Sequence, residues 1–293
     1  MSDAVPQLVE PDWLEARLDD QDLRILDCTV HLDFDDDGTR HQAPARGEWE
    51  HAHIPGSVYA DIVTDLSDTS EGTYPFERPD ADAFAAAMER LGVGDDSRVV
   101  CYDNDVNEWA ARVWWLLRSY GFDDVGVLNG GWTRWVAEGR PVSVDEPEVP
   151  STTFTPEPSP ERIVDKATVV DRLDDPDTCI VNALRPDDHA GAGRPIKYGR
   201  PGRIPGSVNV PAHGDSGIVR DDLETYRDRD ALEAQLSAVG ATDADRVITY
   251  CGGGIAASSV AFALELVGHR DVAVYDRSLS EWGRDDSVPM ETD

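Results

Sequence analysis

The motif IPGSV occurs twice in this chain, at residues 54–58 and again at 204–208. Three further matches follow the same pattern. RVVCYD at 98–103 answers RVITYC at 246–251, DVGVLNGGWTRW at 124–135 answers DVAVYDRSLSEW at 271–282, and ILD from Ile25 answers IVN from Ile180. The separation stays at about 150 residues throughout. Four ordered matches at one offset identify a tandem duplication, so the chain must fold as two copies of one unit. Its 293 residues are enough for two ordinary domains. Residues 145–160, DEPEVPSTTFTPEPSP, are proline-rich, acidic and aperiodic, and read as an extended linker. The expected units are 1–144 and 161–293.

Within each unit, short β-branched runs alternate with helical patterns. LRILDCTV, SVYAD, SRVVCYD and DVGVLNG read as strands of the first copy, and TCIVNAL, SVNVP, RVITYC and DVAVYD as those of the second. The segments 82–92, 108–121, 229–240 and 255–268 read as helices, each closed by a glycine suited to a left-handed cap. Strand–helix alternation predicts an α/β fold in each copy: a mainly parallel sheet with helices on both faces. VAFALEL is apolar on nearly every side, which predicts a deeply buried helix.

One stretch points to chemistry. In ITYCGGGIAASSVAFAL, Cys251 ends a strand, Gly252, Gly253 and Gly254 follow, and a helix begins near Ile255 or Ala256. Ligands of parallel α/β sheets sit beyond the carboxyl ends of the strands. Glycines let the backbone turn so that successive N–H groups face inward as an anion cradle. The helix adds its unpaired amides and positive dipole end. A sulfur in that ring is expected as a thiolate with a lowered pKa. The plainer reading is an inert cysteine in a tight turn. The first copy has Asp103 where the second has Cys251, and no glycines follow it, so that copy is expected to cover or shape the site. Cys28, Cys101 and Cys179 read as buried small apolar residues. No CxxC pair occurs, and no metal is expected.

The formal net charge is −33, and Lys166 and Lys197 are the only lysines. Such a surface repels phosphates and anionic lipid, which argues against nucleic-acid and membrane partners. Acid-rich, lysine-poor composition resembles that of proteins from salt-accumulating halophiles; an ordinary acidic protein is the alternative. No apolar run approaches the ~20 residues of a membrane span, and residues 1–13 carry no secretory pattern, so a cytoplasmic location is expected.

The chain resembles the two-domain rhodanese-type sulfurtransferases along almost its whole length. The resemblance rests on IPGS in each half, on WWLLRSYGFDDVGVLNGGWTRWVAEGRPV at 114–142, and on a cysteine loop in the second half only. It implies a Cys251 persulfide, loaded by a small anionic sulfur donor such as thiosulfate or 3-mercaptopyruvate. The sulfur would pass to a thiophilic acceptor such as cyanide or a thiol, with no cofactor. Gly252, Gly253, Gly254, Ile255 and Ala256 would line the site. The competing reading is a non-catalytic sulfur carrier or protein-binding module, with an acceptor protein as partner. Cysteine phosphatases of similar fold need an arginine where this chain has Ala257.

The chain also departs from the family. Thiosulfate-specific members carry basic residues after the cysteine, where Gly252 and Gly253 stand. Mercaptopyruvate-specific members have hydroxyls in the loop, absent here, and an aspartate and a histidine where this chain has Val63 and Phe76. The Asp-x-Arg of the second domain is Asn182 and Leu184, and the next arginine position is Asp188. The basic run GRPIKYGRPGR at 193–203 is a candidate replacement: Arg194, Lys197 and above all Arg203 are expected to bind the donor. A solvated loop is its plainer reading. No histidine is assigned a role.

Overall fold

The structure is a computed structural model that describes residues 4–193, 196–220 and 222–293. Among the described residues twelve strands run in chain order. The first copy contains β1 (Leu8–Val9), β2 (Leu23–Asp27), β3 (Val30–Phe34), β4 (Arg40–Pro44), β5 (Ser57–Tyr59), β6 (Arg98–Tyr102) and β7 (Val125–Leu128). The second contains β8 (Ile163–Val164), β9 (Thr178–Asn182), β10 (Val208–Asn209), β11 (Arg246–Tyr250) and β12 (Val272–Tyr275). The sheets have equivalent orders, β1-β7-β6-β2-β5 and β8-β12-β11-β9-β10, and every pairing in them is parallel. Register repeats as well: Ile25 lies opposite Val100 as Ile180 lies opposite Ile248. The duplication read from sequence is thus a duplication of topology.

The repeated IPGS has a shared structural job. Ser57 Oγ meets the Tyr102 hydroxyl at 3.0 Å, and Ser207 Oγ meets Tyr250 at 2.8 Å. In each copy the tyrosine also accepts the amide of the motif's isoleucine, Ile54 or Ile204. The motif pins the segment entering β5 or β10 to the central strand. All the strands foreseen in the sequence form. The edge strands β1 and β8, two residues each, were too short to show a period.

Helices cover both faces of each sheet, as expected. Along β11, Val247 faces one apolar cluster and Ile248 another, the alternation a doubly covered strand requires. The helix Ile255–Val267 is buried on every side from Ile255 to Leu264. It packs along Glu108–Ser119, its counterpart in the first copy, with the Trp114 and Phe262 rings edge to face at 4.8 Å. One continuous cluster spans both copies. Residues 145–159 contain no helix or strand but lie along the first copy: Phe154 is buried and Thr152 Oγ1 donates to the Val93 carbonyl. Among the described residues, no helix is long and apolar enough to cross a membrane.

The β3–β4 hairpin belongs to the first copy alone among the described residues. Its turn meets the second copy: a Cβ at Gly38 would collide with the Ile196 carbonyl. Phe34 stands edge-on to Tyr198 at 5.8 Å. The hairpin therefore closes one side of the space between the copies.

Candidate active site

Cys251 follows β11 directly, and the helix begins at Ile255, so three glycines make the whole turn. Each has its own reason. A Cβ on Gly252 would run into the Tyr198 ring, and one on Gly253 would press the Pro75 carbonyl oxygen at 3.1 Å. Gly254 has φ of 83°, and a Cβ there would meet the Asp276 carbonyl oxygen at 2.9 Å. Only that last position needs glycine for its left-handed backbone as well as for space.

The loop is braced from behind. The Cys251 amide donates to Ser278 Oγ at 3.1 Å, and the Cys251 carbonyl accepts from Leu279. Asp276, just past β12, pairs with Arg112 of the first copy at 2.5 Å. Arg112 is fully buried, also donates to the Phe76 carbonyl at 2.7 Å, and its Nη1 lies 3.1 Å from where a Gly254 Cβ would be. The cysteine loop is thus wedged between copies.

The amides of Ala257, Gly253 and Gly254 face the Cys251 sulfur. The same cradle exists in the first copy, filled by a carboxylate. Asp103 accepts from the amides of Asp105, Asn107 and Ala110 at 2.8–3.0 Å. The strand-to-helix turn in both copies gathers N–H groups around one side chain, and only the second copy puts sulfur there. Cys251 is 3% exposed. Burial pushes its thiol pKa up, the three amides pull it down, and the Glu108 carboxylate adds to the upward push; the net direction is up. This corrects the expectation of a lowered thiol pKa, because desolvation by burial outweighs the amides.

Cys251 lies in the wall of a cavity of about 700 Å³ that both copies build. The first copy contributes hairpin residues including Asp33, Phe34 and Arg40, then Phe76, Asp105 and Glu108. The second adds Arg185, Asp188, Lys197, Tyr198 and His213. Arg40 stacks over the Phe76 ring at 5.5 Å. Neither Arg40 nor Arg185 has a carboxylate partner among the described residues. Arg185 Nε donates to His213 Nε2 at 3.4 Å, and His213 Nδ1 meets Glu108 Oε1 across the copies. That carboxylate holds the His213 pKa above the ordinary value. Burial, then Glu108 and Glu224, raises Asp105 to about 6.

The foreseen site residues divide. Cys251, Gly252, Gly253, Ile255 and Ala256 line the cavity, and Gly254 contributes its amide from behind. Lys197 lines it too, 3.5 Å from Asp188 and 5.2 Å from the Phe34 ring centre. Arg194 lies outside the described residues. Arg203, the favoured donor-binding arginine, is a correction: it is absent from the cavity wall and pairs with Glu291 at 2.8 Å and Asp293 at 2.6 Å. Its counterpart, His53, makes an equivalent bridge to Ser143, as Arg203 does to Glu291. Repeat logic placed Arg203 correctly along the chain, but that position faces the C-terminal segment.

Sequence reasoning missed Arg40, Arg185, His213, Glu108 and Asp105. Arg185 and His213 both follow carboxyl ends of parallel strands, a usable signal. Arg40 sits on a hairpin outside the repeat and carried none.

A model of the rhodanese-like domain matches residues 10–138 and, separately, 165–285. The chain is 32% identical over 286 residues to a 3-mercaptopyruvate sulfurtransferase of Escherichia coli, covering 97% of both chains. It is 31% identical to a thiosulfate sulfurtransferase of Corynebacterium glutamicum, covering 98% of this chain and 90% of that one. The crystal structure of SseA from Escherichia coli, a 3-mercaptopyruvate sulfotransferase, superposes with a TM-score of 0.78 at 30% identity, covering 94% of this chain and 99% of the other.

Proposed function

A chain that carries the rhodanese-like domain twice belongs to the two-domain rhodanese-type sulfurtransferases, and from that premise we propose that thiosulfate or a related small anion loads sulfur onto Cys251 for delivery to a thiophilic acceptor. One observation carries the reading: Cys251 faces three amides at a cavity flanked by Arg40 and Arg185. The Cys251 thiolate attacks the outer sulfur of thiosulfate, the bond to the sulfonate sulfur breaks, and sulfite leaves with the electron pair. The persulfide that remains is anionic, and the cradle amides suit that charge. Arg40 and Arg185 suit the sulfonate. Cyanide or a thiolate then removes the outer sulfur, giving ping-pong kinetics. This chemistry uses no metal or organic cofactor.

A second reading takes 3-mercaptopyruvate as donor. The uncharged Gly252, Gly253 and Gly254 loop and the named relative from Escherichia coli favour it. Phe76 in the cavity wall, where mercaptopyruvate-type members are expected to carry an acid–base group, opposes it.

The test is intact mass after incubation with thiosulfate, followed by cyanide and a thiocyanate assay. The expected result is a gain of one sulfur, absent in Cys251→Ser, and thiocyanate turnover. Arg185→Ala is expected to raise KM for thiosulfate about tenfold, the loss of one charge-assisted contact, while Arg203→Ala leaves KM in place. Sulfur uptake without turnover would assign a carrier instead, and no uptake would end the enzyme reading.

A further inference from the structure

Thiosulfate brings no proton to this cavity, yet its wall holds a histidine set up to take one. His213 lies four residues after Asn209, the last residue of β10, and Glu108 opens the Glu108–Ser119 helix of the other copy. Their hydrogen bond crosses the interface between the copies. Because Arg185 Nε donates to Nε2, that nitrogen is the acceptor, and the ring proton sits on Nδ1, donating to Glu108. A carboxylate that fixes the tautomer and supports the imidazolium is the arrangement a general base needs. His213 lines the cavity whose wall also contains Cys251, Ile255 and Ala256.

We propose that His213, held by Glu108, is the general base for thiol acceptors: its Nε2 takes the S–H proton as the thiol sulfur attacks the Cys251 persulfide. The proposal rests on the persulfide reading above. The new bond joins the acceptor sulfur to the outer persulfide sulfur. The bond from that outer sulfur to Cys251 Sγ breaks, and its electron pair stays on Sγ as thiolate. The imidazolium then returns the proton to the product hydropersulfide. Thiol plus enzyme persulfide anion becomes product hydropersulfide plus enzyme thiolate, balanced without oxidant or reductant.

The groups acting on His213 are Glu108 and Asp105, from the first copy, and Arg185. His31, Arg40, Asp188 and Lys197 also line the cavity. The two carboxylates favour the imidazolium and Arg185 opposes it. An anionic substrate that draws Arg185 away would leave Nε2 open to the thiol.

The experiment begins with wild-type protein loaded by thiosulfate, with the one-sulfur mass gain read first; its absence condemns the persulfide reading, a separate failure. Loaded protein is then mixed at neutral pH with two thiols: 2-mercaptoethanol, whose pKa lies well above the assay pH, and an aromatic thiol already ionised there. His213→Gln is expected to slow transfer to 2-mercaptoethanol about 100-fold and transfer to the aromatic thiolate only about threefold, since an ionised thiol needs no base. Imidazole added to His213→Ala is expected to restore the first rate. Equal slowing with both thiols, or none, overturns the proposal and leaves His213 a structural tether. If either variant fails to load, the wild-type pH profile decides. Transfer to 2-mercaptoethanol should level off above the histidine pKa, whereas a rate that climbs to the pKa of the free thiol overturns the proposal.

Discussion

Glu108 touches two pieces of chemistry, because the carboxylate that orients His213 also opposes ionisation of Cys251. Thiosulfate loading needs the thiolate, so its rate rises as pH passes upward through the Cys251 pKa. Glu108→Gln removes the nearby negative charge, lowers that pKa and moves the rising limb to lower pH. Single-turnover loading measured across pH checks this; a limb that stays in place removes Glu108 from the electrostatics of the sulfur. The sequence made Cys251 visible because strand end, glycines and helix start leave a local signature. Side-chain direction has no such signature. Arg203 was placed in the right repeat slot and turns toward Glu291 and Asp293, while Arg40 reaches the cavity from a hairpin the repeat does not contain.

Elements were more legible than side chains. The helix begins at Ile255 as its apolar run announced, and the helices Ala81–Arg90, Glu108–Ser119, Arg229–Ser237 and Ile255–Val267 are each followed within three residues by a glycine with positive φ: Gly92, Gly121, Gly240 and Gly268. What the pattern did not convey is how elements of one copy brace loops of the other. The 75–78 segment shows this: the Phe76 carbonyl accepts from Arg112, and the Arg78 amide donates to Asp276 at 2.8 Å. Arg112 closes that network from the centre of its helix, fully buried, with Nε and Nη1 lacking hydrogen-bond partners among the described residues. Removing one member of such a pair strands a charge in the interior. Arg112→Leu is therefore expected to cost about 3–5 kcal/mol, read from denaturant unfolding. A loss below about 1 kcal/mol, the level of an exposed pair, would mean that the pair contributes little. Replacing Arg112 and Asp276 together with apolar residues should recover part of the loss, since no lone charge remains.

At the scale of the whole molecule, charge is the dominant quantity. A formal charge of −33 on 293 residues repels itself, and this opposes the compact state. Molar salt shortens the screening length to about 3 Å. The melting temperature is accordingly expected to rise when KCl is raised from tenth-molar to molar levels, followed by tryptophan fluorescence. A flat or falling curve would show that local ion pairs, such as Arg140 with Asp12, Glu15 and Glu138, already absorb the repulsion. The cavity, meanwhile, draws walls from both copies, with Cys251 in one and Glu108 in the other. Duplication usually leaves a spare that can drift or be lost. Here recombination that swapped one half for a distant cousin's would break the chamber at its seam, so the two halves can be inherited only as a matched set.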